Sequence, residues 1–372
     1  MFVGCNTIFG GNKVFFSLPV SVKNDRPLGY WLTPILVDSL SKQAGEKAIF
    51  CYGKLGLRTP SPEEEILYLA NLNFLGINCE RVTDKSFGND LLAKALQVCN
   101  SDRILVRSQE CFLCPCGTLS IPVNMVQYAK QKTFKRIGEN VVCRVCDQKA
   151  QITNIKTLVY ELKPETTFEP IKVYPDWYQK EVDELVKQIR EQRISISRAR
   201  STGFSFDGWD LDIEFLWSFL PLVLSDKTNE KLRVVITNQV LRQAVTAYLL
   251  CLELVPEFVA DLVVSPLIIH PGKSEKWNLK RLRTLGYDGC LLRLVLLGSL
   301  GWNRKETILN DSVATVEYRR FNLLKQVILQ TEQKPRSVRE SMSNLSQQNL
   351  AKGLSNVFNP ERFDYSTLKG LF

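Results

Sequence analysis

Five of the eleven cysteines in this chain fall within one short stretch: Cys111, Cys114 and Cys116, then, after 26 residues, Cys143 and Cys146. Two close cysteine groups a few tens of residues apart are how a chain builds a tetrahedral thiolate zinc site. Each turn presents two sulfurs, and the intervening hairpin brings the turns together. The spacing puts Cys143, Cys146 and two of Cys111, Cys114 and Cys116 around one Zn²⁺. Which of those three is spare stays open at this point. Gly117 resembles the glycine that follows the second ligand of a knuckle. Four thiolates close a site, so the expected role is structural. A small β module with little core of its own needs such a staple.

The cluster interrupts a different pattern. Lys13–Val22 is apolar and β-branched and predicts a buried strand, as does Lys47–Tyr52. Tyr30–Ala44 has helical spacing in Leu32, Ile35, Leu36 and Leu40. Pro62–Leu75 predicts a helix with Ser61 as its N-cap and Glu63–Glu65 in its first turn. Asp90–Cys99 predicts another. From about 100 to 172 helical periodicity disappears. It resumes at Glu181–Arg193, followed by a strand at Leu232–Thr237, a helix at Val240–Leu254 and a strand at Leu262–Ile269. Leu279–Leu285, Leu291–Gly298 and Val316–Leu329 predict helices. Strand–helix alternation on both sides of the insertion argues for an α/β fold with a parallel sheet. The expected units are 1–99, an insertion at 100–172, 173–300, a helical segment at 301–330 and a flexible tail at 331–372. The tail is rich in Ser, Gln and Asn.

Counts exclude several functions. His270 is the only histidine, so any mechanism needing two imidazoles is ruled out. The start lacks a basic segment followed by a long apolar run. The longest apolar stretches, such as Leu291–Leu300, fall short of the roughly 20 residues that span a bilayer. A chain with no membrane partner in a reducing, cytoplasmic compartment is expected, with most other cysteines filling the core. Lys+Arg 48 against Asp+Glu 39 gives +9, which permits a polyanionic partner without demanding one.

Five segments, in order, resemble the catalytic domain of class I aminoacyl-tRNA synthetases of the methionyl/leucyl/cysteinyl subgroup. Pro27, Leu28, Gly29 and Tyr30 stand where that family has its HIGH signature, with Asp38 eight residues on. The cysteine insertion matches the zinc-bearing connective insertion. Ile196–Gly203, containing Arg198 and Arg200, resembles the ISR segment that opens the second half. Pro271–Asn278, with Gly272, Lys273, Ser274 and Lys276, falls where the KMSKS loop does. Leu285–Arg293 resembles the helix start that reads YG-x-D-x-LR. Together they cover roughly residues 13–330.

The resemblance implies a Rossmann-type parallel sheet split by a zinc-binding β insertion and followed by a short helical segment. It implies that an adenine nucleotide and an amino acid bind between Pro27–Tyr30 and Gly272–Lys276, with ATP as ligand or substrate and tRNA or other RNA as a partner. It also exposes departures. The two histidine positions of HIGH read Pro27 and Tyr30. The acidic stretch after the second strand is replaced by Gly53-Lys54-Leu55-Gly56. In the family, the two histidines stabilise the triphosphate during adenylation. Their absence implies that amino-acid activation and tRNA charging are weakened or lost, while backbone N–H groups behind Gly29 still face a phosphate. The alternative is a non-catalytic pseudoenzyme or an RNA-binding module keeping this fold. Lys273, Lys276, Lys280, Arg281 and Arg283 form either a phosphate clamp or a solvated helix start. His270 is expected to neighbour that loop without catalytic duty. Asp38 is expected to face the helix surface or to orient a backbone group.

Overall fold

The computed structural model describes residues 13–55, 59–116, 119–122, 134–143, 146–163, 170–191, 193–197, 203–269, 278–309, 314–319 and 322. The first strand, β1 (Lys13–Ser17), is buried along its whole length. The predicted strand to Val22 is interrupted at Leu18-Pro19, since proline cannot donate to a ladder. It resumes briefly as β2 (Val20–Ser21). A 3₁₀ turn at Leu28–Trp31 leads into α1 (Leu32–Ala44). Gly45, at φ 70°, ends that helix in the left-handed conformation that costs glycine least. Next come β3 (Lys47–Gly53), α2 (Pro62–Phe74), β4 (Glu80–Thr83) and α3 (Gly88–Cys99). The predicted cap of α2 is a full capping box: Ser61 accepts from the Glu64 N–H, and the Glu64 carboxylate accepts from the Ser61 N–H.

The insertion is a ribbon. Strands β5 (Ile104–Leu113), β6 (Leu119–Pro122), β7 (Phe134–Ile137), β8 (Asn140–Cys143) and β9 (Gln151–Tyr160) follow in order. β5 and β9 pair antiparallel from Ile104↔Tyr160 to Leu113↔Gln151. At the far end β6 lies along β5, and β7 and β8 form a hairpin. The ribbon's foot is anchored, because Leu158 and Tyr160 join the main core.

The chain then returns through β10 (Val173–Tyr174), a helix at Gln179–Glu191 and β11 (Ile194–Ser195). A tight hairpin follows, formed by β12 (Ser205–Phe206) and β13 (Trp209–Asp210). Its turn residues Asp207 and Gly208 both have positive φ. The second half supplies β14 (Lys231–Thr237), the helix Leu241–Leu254 and β15 (Ala260–Ser265). The predicted strand at Leu262–Ile269 breaks at Pro266. β16 (Leu267–Ile269) leaves the sheet and pairs instead with β17 (Glu306–Ile308). Between these two lie the helices Leu279–Thr284 and Gly289–Gly298. Residues 314–319 are helical and overlap the start of the predicted helix Val316–Leu329. The rest of Val316–Leu329, apart from residue 322, and the tail at 331–372 lie outside the described residues.

Both halves build one sheet in the order β10-β15-β14-β1-β3, with β4 on the far side of β3 and β2 along the end of β3. Every pairing in it is parallel. The insertion therefore interrupts a single α/β parallel-sheet fold. Side chains of β1 alternate between two cores. Val14 and Phe16 pack with α3 and the helix Leu241–Leu254, and Phe15 packs with α1, α2 and the helix Gly289–Gly298. The strand order reverses between β1 and β14, which puts the expected ligand crevice at their carboxyl ends.

Two buried ionic clusters hold this arrangement. Asp261, 1% exposed, lies 2.9 Å from Lys231 Nζ and 3.5 Å from both Lys13 Nζ and Arg233 Nε. These residues lie within the first three positions of their strands, so the cluster closes the sheet at the end away from the crevice. The second centres on Asp38, which is buried rather than at the helix surface. Its Oδ1 accepts from the Asn78 N–H at 3.0 Å. Its Oδ2 meets Lys42 Nζ at 2.7 Å and Arg293 Nη1 at 2.6 Å. Arg293 also donates to the Gly76 carbonyl at 2.9 Å and to Ser39 Oγ. Two residues of the resemblance, 255 positions apart, thus lock α1 to the helix Gly289–Gly298. Arg293→Met leaves a buried carboxylate with only the half-exposed Lys42 as its cation. The expected loss is about 3 kcal/mol, read as a lowered urea midpoint at unchanged slope. A midpoint equal to wild type would refute that role.

Candidate metal centre and ligand crevice

Cys114 follows directly on β5, Cys143 ends β8, and Cys146 lies in the turn after it. In that turn the Asp147 N–H donates to the Cys143 carbonyl at 2.9 Å, with Asp147 at φ 56°. The turns meet crosswise: Cys114 Sγ is 3.2 Å from Cys146 Sγ, and Cys116 Sγ is 3.8 Å from Cys143 Sγ. All four sulfurs lie within 4.8 Å of one another. A tetrahedron with metal–sulfur bonds of about 2.3 Å needs sulfur separations of about 3.8 Å. The donor set fits a metal, and an all-thiolate set selects a soft or borderline cation.

Cys111 is not part of this group. It sits inside the β5 ladder opposite Thr153 and Pro122, and burial raises its thiol pKa. Among the described residues, Phe112, Phe134, Val141 and Ala150 complete a buried cluster around the sulfurs, with the Phe112 and Phe134 rings 6.2 Å apart. A cluster of this size gains most from a cross-link.

At the crevice, Pro27 forms an isolated antiparallel bridge with Asn278. The Tyr30 N–H closes the 3₁₀ turn on the Pro27 carbonyl at 2.9 Å. Gly29 is needed for close approach, but its partner is the chain itself. A Cβ there would stand 2.9 Å from Ile268 Cβ and 3.2 Å from the Ile268 carbonyl oxygen. Tyr30 packs edge-on to Trp31 with centroids 5.6 Å apart, and Trp31 lies 5.0 Å from the Tyr68 ring. The Tyr30 hydroxyl is buried and faces that of Tyr68, short of hydrogen-bond geometry. Burial raises the pKa of both phenols.

Beyond β3, Lys54 and Leu55 are held from below. Asp84 Oδ1 accepts from the Lys54 N–H at 2.5 Å and the Leu55 N–H at 3.1 Å. Its Oδ2 accepts from Trp217 Nε1 at 2.8 Å. Burial raises the Asp84 pKa, opposed by these donors. Above it Lys54 Nζ meets Glu65 at 2.6 Å, holding that carboxyl below its ordinary range, and Tyr52 Oη donates to Glu65 at 2.8 Å. Lys280, Arg281 and Arg283 are exposed on a short helix capped by Asn278, with Leu279 and Leu282 turned inward. Gly272, Lys273, Ser274, Lys276, His270, Arg198 and Arg200 lie outside the described residues.

No protein-family model matches the chain, and no curated protein matches it. Solved structures do. The Mycobacterium tuberculosis methionyl-tRNA synthetase bound by methionyl-adenylate aligns with a TM-score of 0.65 at 11% identity, over 97% of this chain and 81% of that one. A second structure of that synthetase in complex with methionyl-adenylate gives 0.64 at 10% identity, over 96% and 80%. Its free state gives 0.59 at 9% identity, over 98% and 79%. The chain has the methionyl-tRNA synthetase fold. The match spans both halves of the sheet and the four-cysteine insertion between them. Asp84 and Trp217 were missed in the sequence because neither belongs to a motif. The available signal was an acid directly after the short strand Glu80–Thr83, a place where carboxylates cap turns. No helix among the described residues is long and apolar enough to cross a membrane.

Proposed function

We propose that this chain is a ligand-binding protein with the methionyl-tRNA synthetase fold. It takes an adenine nucleotide or an aminoacyl-adenylate-like ligand between Pro27–Tyr30 and the Gly272–Lys276 loop. Amino-acid activation and tRNA charging are weakened or lost. The observation that carries this reading is the pair Pro27 and Tyr30 at the two imidazole positions, with the Tyr30 hydroxyl directed to Tyr68 in the core. Ligand binding is supported by the methionyl-adenylate held by the structurally similar synthetase. Cys114, Cys116, Cys143 and Cys146 hold a structural Zn²⁺, and thiolate ligands suit a reducing, cytoplasmic compartment.

Calorimetric titration with ATP and with a non-hydrolysable aminoacyl-adenylate analogue tests the binding. Saturable binding is expected. Lys273→Ala combined with Lys276→Ala should weaken it about tenfold or more, since charge-assisted contacts to phosphate are lost. No binding to ATP, amino acids or the analogue would leave the fold as a scaffold only. The exposed Lys280, Arg281 and Arg283 favour one second reading, an RNA-binding module. It requires a complex that weakens steeply with salt and ignores ATP.

A further inference from the structure

The four metal-site sulfurs are not equally protected. Cys114 and Cys143 are buried and Cys146 is half-buried, but Cys116 is exposed. A metal-bound cysteine is a thiolate, the form that reacts with electrophiles and oxidants. Elsewhere thiols are protected by burial, which pushes Cys79 up to about 11 and Cys99 and Cys251 up to about 12. Cys290 is exposed, but it is not one of the four clustered sulfurs. Among the described cysteines, Cys116 alone is both exposed and one of the four clustered sulfurs. Its sulfur also has a partner on the opposite turn, Cys143 Sγ at 3.8 Å.

We propose that Cys116 is an oxidation site through which a hydroperoxide opens the metal centre. The inference rests on reading the four cysteines as a Zn²⁺ site. In the first step the Cys116 sulfur attacks the peroxide. An S–O bond forms and the O–O bond breaks, so that the thiolate is oxidised to a sulfenic acid and the peroxide leaves as alkoxide, or as hydroxide from hydrogen peroxide. In the second step Cys143 sulfur attacks the sulfenic sulfur, forms a disulfide and expels hydroxide. Two of the four ligands are then withdrawn from the metal, and Cys114 and Cys146 alone do not retain it. Loss of the cross-link loosens the cluster of Phe112, Phe134, Val141 and Ala150. The foot of the ribbon, packed in the main core, stays folded.

The test uses the full-length, metal-loaded chain and hydrogen peroxide. Metal release is followed with a chelating dye, and oxidised cysteines are mapped by alkylation and mass spectrometry. One metal ion released per Cys116–Cys143 disulfide is expected, with Cys116 oxidised ahead of Cys290. Cys116→Ser should slow release by about tenfold or more, and Cys290→Ser should leave it unchanged. Release at wild-type rate from Cys116→Ser overturns the proposal. If that variant does not retain metal, the wild-type map decides alone: Cys290 oxidised first, or a first disulfide between Cys114 and Cys146, overturns it equally. A metal-loaded chain inert to peroxide sinks this inference and leaves the metal reading intact. A chain that purifies reduced and without metal sinks both.

Discussion

Cys143→Ala is expected to purify without metal and with the tip of the insertion unfolded, while Cys111→Ala keeps one metal ion per chain. The contrast is large because the free energy of a structural zinc site, about 10–16 kcal/mol at neutral pH, is folding free energy for the module that it closes. Here that module is a hairpin and two turns around a handful of buried side chains. Cys143 is fully buried, so its loss removes a ligand and opens a cavity together. Cys111 belongs to the ladder of β5 and contributes only packing. Metal analysis per chain gives the first readout. Amide exchange over residues 134–150 gives the second, and should rise to the unprotected rate in Cys143→Ala alone. Exchange at β1, β14 and β15 should not change, because those strands draw their protection from the main cores. Loss of metal from Cys111→Ala, or its retention in Cys143→Ala, would contradict the four-sulfur assignment.

That assignment also shows where sequence reasoning stops. The cysteine spacing located the centre but could not choose among Cys111, Cys114 and Cys116, because a two-residue gap and a one-residue gap both build turns. The choice is made by the β5–β9 register, which commits Cys111 to a strand position opposite Thr153. The central strands were legible because a parallel sheet covered on both faces leaves near-continuous apolar runs, as in Lys13–Ser17 and Lys231–Thr237. β4 was not, since Glu80–Thr83 is a short edge strand whose side chains are half-exposed and polar. The end of β15 was misjudged because apolar character continues through Pro266 into Leu267–Ile269 while the pairing partner changes. Asp38 with Arg293, and Asp84 with Trp217, are contacts between distant segments. Local pattern carries no trace of them, although the order of the family-like segments placed two of the four residues.

ATP–pyrophosphate exchange by the pure chain, offered all amino acids, is expected to lie about four to six orders of magnitude below that of an active class I synthetase. Adenylation builds negative charge on the phosphate as the carboxylate attacks, and donors fixed in advance stabilise it. Removing one such donor costs about two to three orders of magnitude, and this chain lacks both imidazoles. Pro27 has no N–H and no polar side chain. Tyr30 carries a hydroxyl, but it lies beside Tyr68 and Trp31, and its amide N–H is spent on the Pro27 carbonyl. The open side of Gly29 is filled by Ile268. Tyr30→His is therefore expected to leave ligand binding in place and exchange at background. The single imidazole replaces a ring packed in the core, and position 27 still offers no second donor. Robust exchange with any amino acid, or charging of any tRNA by the wild-type chain, would overturn this. It would mean that charge at the phosphate is met by groups outside the Pro27–Tyr30 turn, with Lys273 and Lys276 first among them. The Lys273→Ala and Lys276→Ala pair should then abolish exchange altogether, whereas a loop that only grips the ground state would lose affinity and keep its turnover.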